Sequence, residues 1–150
     1  MTKENIDKLE SAFQFKHPIL KGIFFLPNNK YKGNKKTTSL NFNTRLVEVK
    51  KVEDSENKFQ TGNVELEVSN FDSDNDAEIN KHPYLLNVIM QAEFRWPNNW
   101  AEEKVKRFIK VNAASLLFSY IRPIISDITG MSEFEREDLP FIDFSKSADK

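Results

Sequence analysis

Apolar and polar residues alternate from Tyr84 to Trp96, and this is the clearest strand pattern in the chain. Every second residue of the stretch is apolar, while the positions between them include Asn87, Gln91 and Glu93. Successive side chains of a β-strand point to opposite faces of a sheet. The pattern therefore predicts a strand with one face in the core and the other toward solvent.

Three further strands are predicted upstream of this one. The first covers residues 11–26 and is interrupted at Pro18, which has no amide hydrogen for a sheet ladder. The second covers 40–49, where the apolar positions change phase, so a bulge is predicted near Arg45. The third is centred on 64–68, where valine and leucine alternate with glutamate.

A long helix is predicted after the last strand, from about Trp100 to Gly130. Asn99 and Glu102 have the spacing of a capping box at its start. Pro123 lies inside the helical pattern and removes one helical hydrogen bond, which predicts a kink within residues 119–123. The predicted buried stripe consists of apolar residues three and four apart, namely Val105, Phe108, Ile109, Ala113, Leu116, Leu117 and Tyr120, with Ile124 and Ile128 continuing the same face.

The order of these elements predicts an α+β fold, a four-stranded antiparallel meander with one long kinked C-terminal helix packed on one face. The length predicts a single domain over residues 1–150, with 1–10 and 145–150 flexible. One sheet and one helix leave much apolar surface uncovered in a single chain. We therefore expect a homo-oligomer, a dimer or a tetramer.

Composition narrows the range of functions. The chain has 22 basic and 23 acidic residues, so its net charge does not favour nucleic acid or an anionic membrane. Cysteine is absent, which excludes disulfides and thiolate metal sites and fits a reducing compartment. No apolar run approaches the roughly 20 residues of a membrane span, and the N-terminus lacks a signal-peptide core. We expect a soluble, cytoplasmic protein without membrane insertion.

The residues suited to chemistry are sparse and scattered. His17 and His82 each precede a proline and share no metal-binding spacing. The acidic run at 72–78 lacks the glycine and glutamate that an EF-hand requires, so we interpret it as a solvated loop. The lysines of 30–36 surround a single aromatic residue, which favours a solvated loop over a nucleic-acid patch. No catalytic residue, metal site or cofactor is expected.

Three segments, in order along the chain, resemble motifs of the SecB family of protein-export chaperones. Residues 20–25 read LKGIFF and precede a Pro-Asn pair at 27–28, similar to that family's first-strand motif LKxIxF with a nearby PN. Residues 116–122 read LLFSYIR and resemble its ILFPYAR-like helix motif, with Ser119 in place of proline. Residues 139–144 read LPFIDF, similar to its LAPVNF-type closing tail.

The resemblance covers about residues 11–144 and implies a SecB-like holdase that binds non-native polypeptide without ATP, with a role in protein export. In that family an apolar groove lies between the sheet, the crossover loop after the first strand and the loop joining the helices. The candidate groove residues are Phe24, Phe25, Leu26, Tyr31, Phe134, Leu139, Phe141 and Phe144. The helix residues expected to pack the sheet and an oligomer interface are Leu116, Leu117, Tyr120 and Ile124.

Other functions remain open from the sequence. Typical members of the family are strongly acidic and engage the SecA motor, whereas this chain has a net charge of −1. A dedicated chaperone for one partner, such as the antitoxin of a toxin–antitoxin pair, is therefore an alternative. A small-ligand or enzymatic domain and an interaction module without chaperone activity are two more. A pocket closed by side chains would favour the interaction module, and a long open apolar groove would favour the chaperone.

Overall fold

The computed structural model describes residues 13–33, 39–51, 59–71 and 81–148. The predicted acidic loop at 72–78 and the predicted flexible start at 1–10 lie outside the described residues.

The described strands form one antiparallel sheet. The first two pair in succession with the last strand, and the buried Pro18 lies between them, as its missing amide hydrogen predicts. The strands are β1 (Gln14–Phe15), β2 (Ile19–Pro27), β3 (Asn41–Lys51), β4 (Phe59–Ser69) and β5 (Tyr84–Pro97).

The α+β fold with an antiparallel sheet and one long C-terminal helix is confirmed, but the meander order is wrong for the first strand. β3, β4 and β5 are consecutive neighbours, whereas β1 and β2 cross over to pair with β5. The crossover gives β5 a hydrogen-bonded neighbour on each side, and every second residue of β5 from Tyr84 to Trp96 is buried in the core that the sheet shares with the helix. A bulge lies between Leu46 and Glu48, close to the predicted position, and a second one between Leu20 and Gly22.

Helical structure is continuous from Glu102 to Gly130 but not uniform. It consists of α1 (Glu102–Arg107), a π-helical segment (Phe108–Ala113) and α2 (Ala114–Gly130). A short helix, α3 (Ser145–Ala148), follows within the stretch expected to be flexible. α2 ends at Gly130 as predicted.

One predicted detail of the helix differs from the structure. The capping box is wrong, because Ala101 precedes the first helical residue and makes no side-chain cap. Asn99 lies in the preceding turn, in which the Trp100 amide donates to the Pro97 carbonyl at 3.3 Å. The kink predicted near Pro123 stays a prediction, since α2 is helical on both sides of that residue; α-helical hydrogen bonding is interrupted earlier, at Phe108–Ala113.

The core lies between the sheet and one face of this helix, and the face is offset from the predicted one. Of the predicted residues in α2, Leu117 is fully buried, whereas Leu116 and Tyr120 are only partly buried. A π-helical turn has i→i+5 hydrogen bonds and takes up an extra residue, so it advances the phase of the helix that follows. The buried α2 residues are accordingly Ala114, Leu117, Phe118, Ile121, Ile125, Ser126 and Thr129.

The helical run Glu102–Gly130 is long and apolar enough to cross a membrane by length and composition alone. The core helix of a soluble protein passes the same test, so this is weak evidence for a span. Phe118, Ile121 and Ile125 of this helix are buried in the core shared with the sheet.

Candidate functional site

Four aromatic side chains form a row at one end of the sheet, and we call them the aromatic row. Phe25 of β2 lies 5.3 Å from Tyr84 of β5 between ring centroids. Tyr84 lies 6.3 Å from Phe134, which lies 6.4 Å from Tyr31. The row therefore joins the sheet, the segment after α2 and the crossover turn after β2, the three regions between which the groove is expected.

The crossover turn is held against the start of β5 by Asn28. Its backbone amide donates to the Pro83 carbonyl at 2.8 Å, and its side-chain Nδ2 donates to the His82 carbonyl at 3.2 Å. The Tyr31 amide donates in turn to the Asn28 carbonyl at 3.1 Å. The Pro-Asn pair singled out in the sequence thus orients Tyr31 toward Phe134.

The segment 131–144, which we call the tail, is fastened to α2 by hydrogen bonds. Arg122 donates from Nε and Nη2 to the Leu139 carbonyl oxygen at 2.9 and 2.7 Å. The Glu137 amide donates to Thr129 Oγ1 at 2.9 Å. These contacts anchor the second half of the tail along the helix.

A polar cluster adds to this attachment. Ser126 Oγ donates to Asp138 Oδ1 at 2.5 Å, and Arg136 Nε donates to the Ser126 hydroxyl at 2.7 Å and to Asp138 at 2.9 Å. The hydrogen bond from Ser126, followed by that from Arg136, holds the pKa of Asp138 below its usual value.

Two buried oxygens near the aromatic row have no hydrogen-bond partner among the described residues, the Tyr84 hydroxyl and Glu137 Oε2. Burial, followed by the charge of Glu137, raises the pKa of Tyr84 to about 12. Burial also raises the pKa of Glu137, with smaller contributions from Glu135 and Asp138. The row is thus apolar, and the charge of Glu137 acts on Tyr84 within it.

Two of the other predicted groove residues, Leu139 and Phe144, are buried in the core. The Phe144 ring lies 5.7 Å from Phe42 of β3 and 5.7 Å from Phe118 of α2, both in edge-to-face geometry. The end of the tail therefore closes the core between helix and sheet.

The remaining three predicted groove residues lie apart from the row. Phe24 and Leu26 belong to the sheet face that points away from the helix, and Phe24 packs 5.9 Å from Phe71. Phe141 is 87% exposed, with the Arg122 guanidinium 4.2 Å from its ring centroid. The structure therefore brings Phe25, Tyr31 and Phe134 together and leaves these three elsewhere.

The predicted interface residues differ in accessibility. Leu117 is fully buried within the single chain, so only Leu116, Tyr120 and Ile124 keep surface for a second protomer. The sequence analysis missed further apolar surface on the edge strand β2. Its signal is the continuous apolar character of residues 19–26, where Ile19, Leu20 and Ile23 are exposed beside the predicted groove residues Phe24 and Leu26.

The outer face of the sheet carries a compact ion-pair network. Arg45 of β3 lies 3.3 Å from Glu65 Oε2 and 3.4 Å from Glu67 Oε1 on β4. Amides of β5 donate to the same carboxylates, from Asn87 to Glu67 at 3.2 Å and from Gln91 to Glu65 at 3.5 Å. The two outward glutamates are therefore paired rather than free.

Within the described part of the chain, no group of three His, Cys, Asp or Glu side chains is placed to hold a metal ion. His17 packs edge-on against Tyr120, with ring centroids 6.1 Å apart, and His82 lies in the turn before β5.

A protein-family model described as preprotein translocase subunit SecB matches residues 26–147. The match includes the crossover turn, the sheet from β3 to β5, the whole helix and the tail. The search of curated proteins found no match.

Two solved structures share the fold. One is the Mycobacterium tuberculosis Rv1957 SecB-like chaperone in complex with a ChAD peptide from the Rv1956 HigA1 antitoxin, with a TM-score of 0.56 at 12% identity over 91% of this chain and 95% of that one. The other is a protein of unknown function from Streptococcus agalactiae, with a TM-score of 0.52 at 9% identity over 86% and 97% of the two chains. At these identities the likeness shows the fold alone.

Proposed function

Because the chain belongs to the SecB family, we propose that it is a chaperone that holds non-native polypeptide without ATP or chemistry. The observation that carries the proposal is the aromatic row, because it joins the crossover turn, the sheet and the tail in one apolar surface. Phe134 and Tyr31 are only partly buried, so part of this surface is open to a client.

The physics of such a site suits varied clients. Apolar burial is non-directional and contributes about 25 cal/mol per Å² removed from water, before ordering costs are subtracted. Aromatic rings present large areas with few rotatable bonds, so little entropy is lost when they bind. A client segment needs only apolar side chains at suitable spacing.

We propose a cytoplasmic homo-oligomer, a dimer or a tetramer, as the working form. The support is the apolar surface that a single chain leaves exposed at Ile19, Leu20 and Ile23 on the edge strand β2. An edge strand with exposed backbone groups and apolar side chains is normally covered by a partner. The partly buried Tyr120 and Ile124 on the helix offer a second surface of the same kind.

A dedicated chaperone for one partner, such as an antitoxin, is the second candidate. One structure with this fold holds an antitoxin peptide. Among the described residues, Arg45 is ion-paired with both Glu65 and Glu67 and offsets one of their two charges, so these carboxylates are less available to a SecA-type motor. This pairing favours a dedicated client over a role in export.

A small-ligand function has less support. A cleft of about 640 Å³ on the outer face is lined by Phe24 and Phe71 together with polar side chains such as Asn43, Glu67 and Asn87, and it is open to solvent. Ligand sites normally enclose most of their ligand.

The test is the aggregation of a chemically unfolded protein, followed by light scattering with and without this chain, alongside its mass in solution. We expect a dimer or tetramer that suppresses aggregation at near-stoichiometric ratio. Phe25→Ala and Phe134→Ala should weaken suppression, whereas Met131→Ala, a change of an exposed apolar residue in the same tail, should not. Phe141→Ala tells whether the client surface extends along the tail.

An oligomer that suppresses nothing would rule out a general holdase and leave the dedicated chaperone or a module without chaperone activity. Equal loss in the Phe134 and Met131 variants would show that the aromatic row is not the client site.

A further inference from the structure

The strand β3 is an edge of the described sheet and carries exposed apolar side chains. It is hydrogen-bonded to β4 on one side, and no other described strand pairs with it. Leu46 is 39% exposed, Val47 is 54% exposed and Val49 is 48% exposed. An exposed apolar edge strand is a template for pairing with another chain. The surfaces used by the proposed function, on β2, the helix and the aromatic row, leave this edge without a role.

The bulge in β3 determines which residues of this edge share a face. Arg45 is paired with Glu65 and Glu48 is paired with Asn63, and both partners lie on the outer face of β4. Residues three apart point to opposite faces of a regular strand. The extra residue at the bulge, Val47, therefore brings Arg45 and Glu48 onto the same outer face.

Thr44 and Val49 share the core side of the sheet for the same reason. Thr44 is paired with Leu66 and Val49 with Gly62, and both partners belong to the buried face of β4. Leu46 lies on this side too, since its Cδ1 is 3.0 Å from the position that a Cβ of Gly62 would take. Each face of the edge thus has matching positions before and after the bulge.

We propose that β3 pairs antiparallel with the β3 of a second copy of this chain, about a two-fold axis that is perpendicular to the sheet and lies between Leu46 and Val47. Opposed residues of an antiparallel pair share a face. The bulge satisfies this condition, because Thr44 lies opposite Val49 of the second copy and both are on the core side. The exposed apolar side chains of the two copies then cover one another around the axis.

Charge selects this register. Arg45 lies opposite Glu48 of the second copy, so opposite charges meet on the outer face on both sides of the axis. Glu65 and Glu67 share the one charge of Arg45, and Lys50 of the second copy brings another cation toward them on the same face. A shift of the register in one direction sets Arg45 against Lys50, which is destabilising, and a shift in the other direction sets it against a residue of the core side.

The contacts that these side chains make within one chain do not oppose the pairing. Lys50 Nζ lies 3.4 Å from Glu48 Oε1, and the two side chains are 71% and 52% exposed. An ion pair this exposed contributes little to stability, so little is lost when both groups find new partners across the axis.

The register can be tested with single-cysteine variants, because the chain has no cysteine of its own. Thr44→Cys and Val49→Cys are nearly isosteric changes at opposed positions. Opposed Cα atoms of an antiparallel pair lie about 4.5–5.5 Å apart, within the range of a disulfide. Mild oxidation of a mixture of the two variants, one of them tagged to change its mass, should give a mixed disulfide dimer. Each variant alone should give little, because each cysteine lies several residues along the strand from its own copy.

Val47→Lys tests the contact itself. Val47 is exposed in the single chain, so the variant is expected to fold, and it places two like charges beside the axis. Added to both cysteine variants, it should abolish the mixed disulfide, and sedimentation should show self-association at least about tenfold weaker. Ile23→Lys is the matched control, because it makes the same change at an exposed residue of the other edge strand, β2. It should leave the mixed disulfide unchanged.

The pairing is overturned if the mixture forms no more disulfide than each variant alone, or if the disulfide survives Val47→Lys. A Val47→Lys variant that loses aggregation suppression while its self-association is unchanged would show that the edge binds a client strand instead of a second copy. The holdase does not depend on this contact, since aggregation of the test protein with the wild-type chain is measured separately.

Discussion

Arg122 of α2 holds the tail by donating two hydrogen bonds, from Nε and Nη2, to the carbonyl oxygen of Leu139. The contact links two of the segments that resemble SecB motifs, since Arg122 ends the helix motif and Leu139 begins the tail motif. The docked end of the tail in turn buries Phe144 in the core.

Arg122→Met should destabilise the fold by about 1–3 kcal/mol, because it leaves the Leu139 carbonyl without its charged donors. Urea unfolding followed by circular dichroism measures the change. Arg122→Lys keeps one charged donor, so it should lose less stability than Arg122→Met. Unchanged stability in the methionine variant would mean that the tail docks through its apolar residues alone.

Phe144 and Phe141 lie in the same tail, but replacing each with alanine should change the stability of the fold by very different amounts. Phe144 is 5% exposed between Phe42 and Phe118, so Phe144→Ala should cost about 3–5 kcal/mol. Phe141 is solvent-exposed and packs on Arg122, so Phe141→Ala should cost less than about 1 kcal/mol. Equal losses in the two variants would contradict the tail position described here.

Gly62 and Gly22 differ in the space available for a Cβ atom, so their alanine variants can be compared directly. A Cβ at Gly62 would lie 2.7 Å from Cη2 of the buried Trp96, so Gly62→Ala should cost about 1–3 kcal/mol through overpacking. At Gly22 the nearest of these contacts is Ile89 Cδ1 at 4.0 Å, so Gly22→Ala should be neutral or stabilise by up to about 1 kcal/mol. Chemical denaturation of both variants checks this, and a stable Gly62 variant would count against the close approach of β4 to Trp96.

Glu137 should make stability depend on pH. Its pKa is raised in the folded protein by burial, so the folded state binds the proton more tightly than the unfolded state. The stability that the protonated group contributes is present below the unfolded pKa and is lost as pH rises through the folded pKa. Glu137→Gln mimics the protonated form, so its thermal midpoint should exceed that of the wild type at pH 7, and the gap should shrink near pH 4.

Tyr84→Phe and Glu135→Gln complete this comparison. With a pKa of about 12, Tyr84 is neutral between pH 4 and pH 7. Tyr84→Phe should therefore change the stability by the same amount at these two pH values. Glu135 is exposed and adds only a smaller contribution to the raised pKa of Glu137, so its glutamine variant should show a much weaker trend. A gap for Glu137→Gln that does not change with pH would show that Glu137 is not buried as described.

Local patterns predicted much of the fold and only part of the site. Alternation in β5, the proline at 18 and the phase change in β3 each depend on a few neighbouring residues, and each prediction agrees with the structure. The groove set was taken from a family likeness, which does not specify the face on which each side chain lies. Phe24 and Phe25 are adjacent in a strand, so only one of them can face Tyr84.

The sequence by itself determined which segments become strands and helix, because hydrophobic periodicity is a local property of the chain. Tertiary structure decided that β2 pairs with β5, because strand pairing depends on which edges meet across the whole sheet. It also decided the buried face of α2, because the π-helical turn at Phe108–Ala113 advances the helix phase and brings Phe118, Ile121 and Ile125 inward. The contact of Tyr84 with Phe134 arises in the same way, since residues distant in sequence meet only when the tail packs onto the end of the sheet.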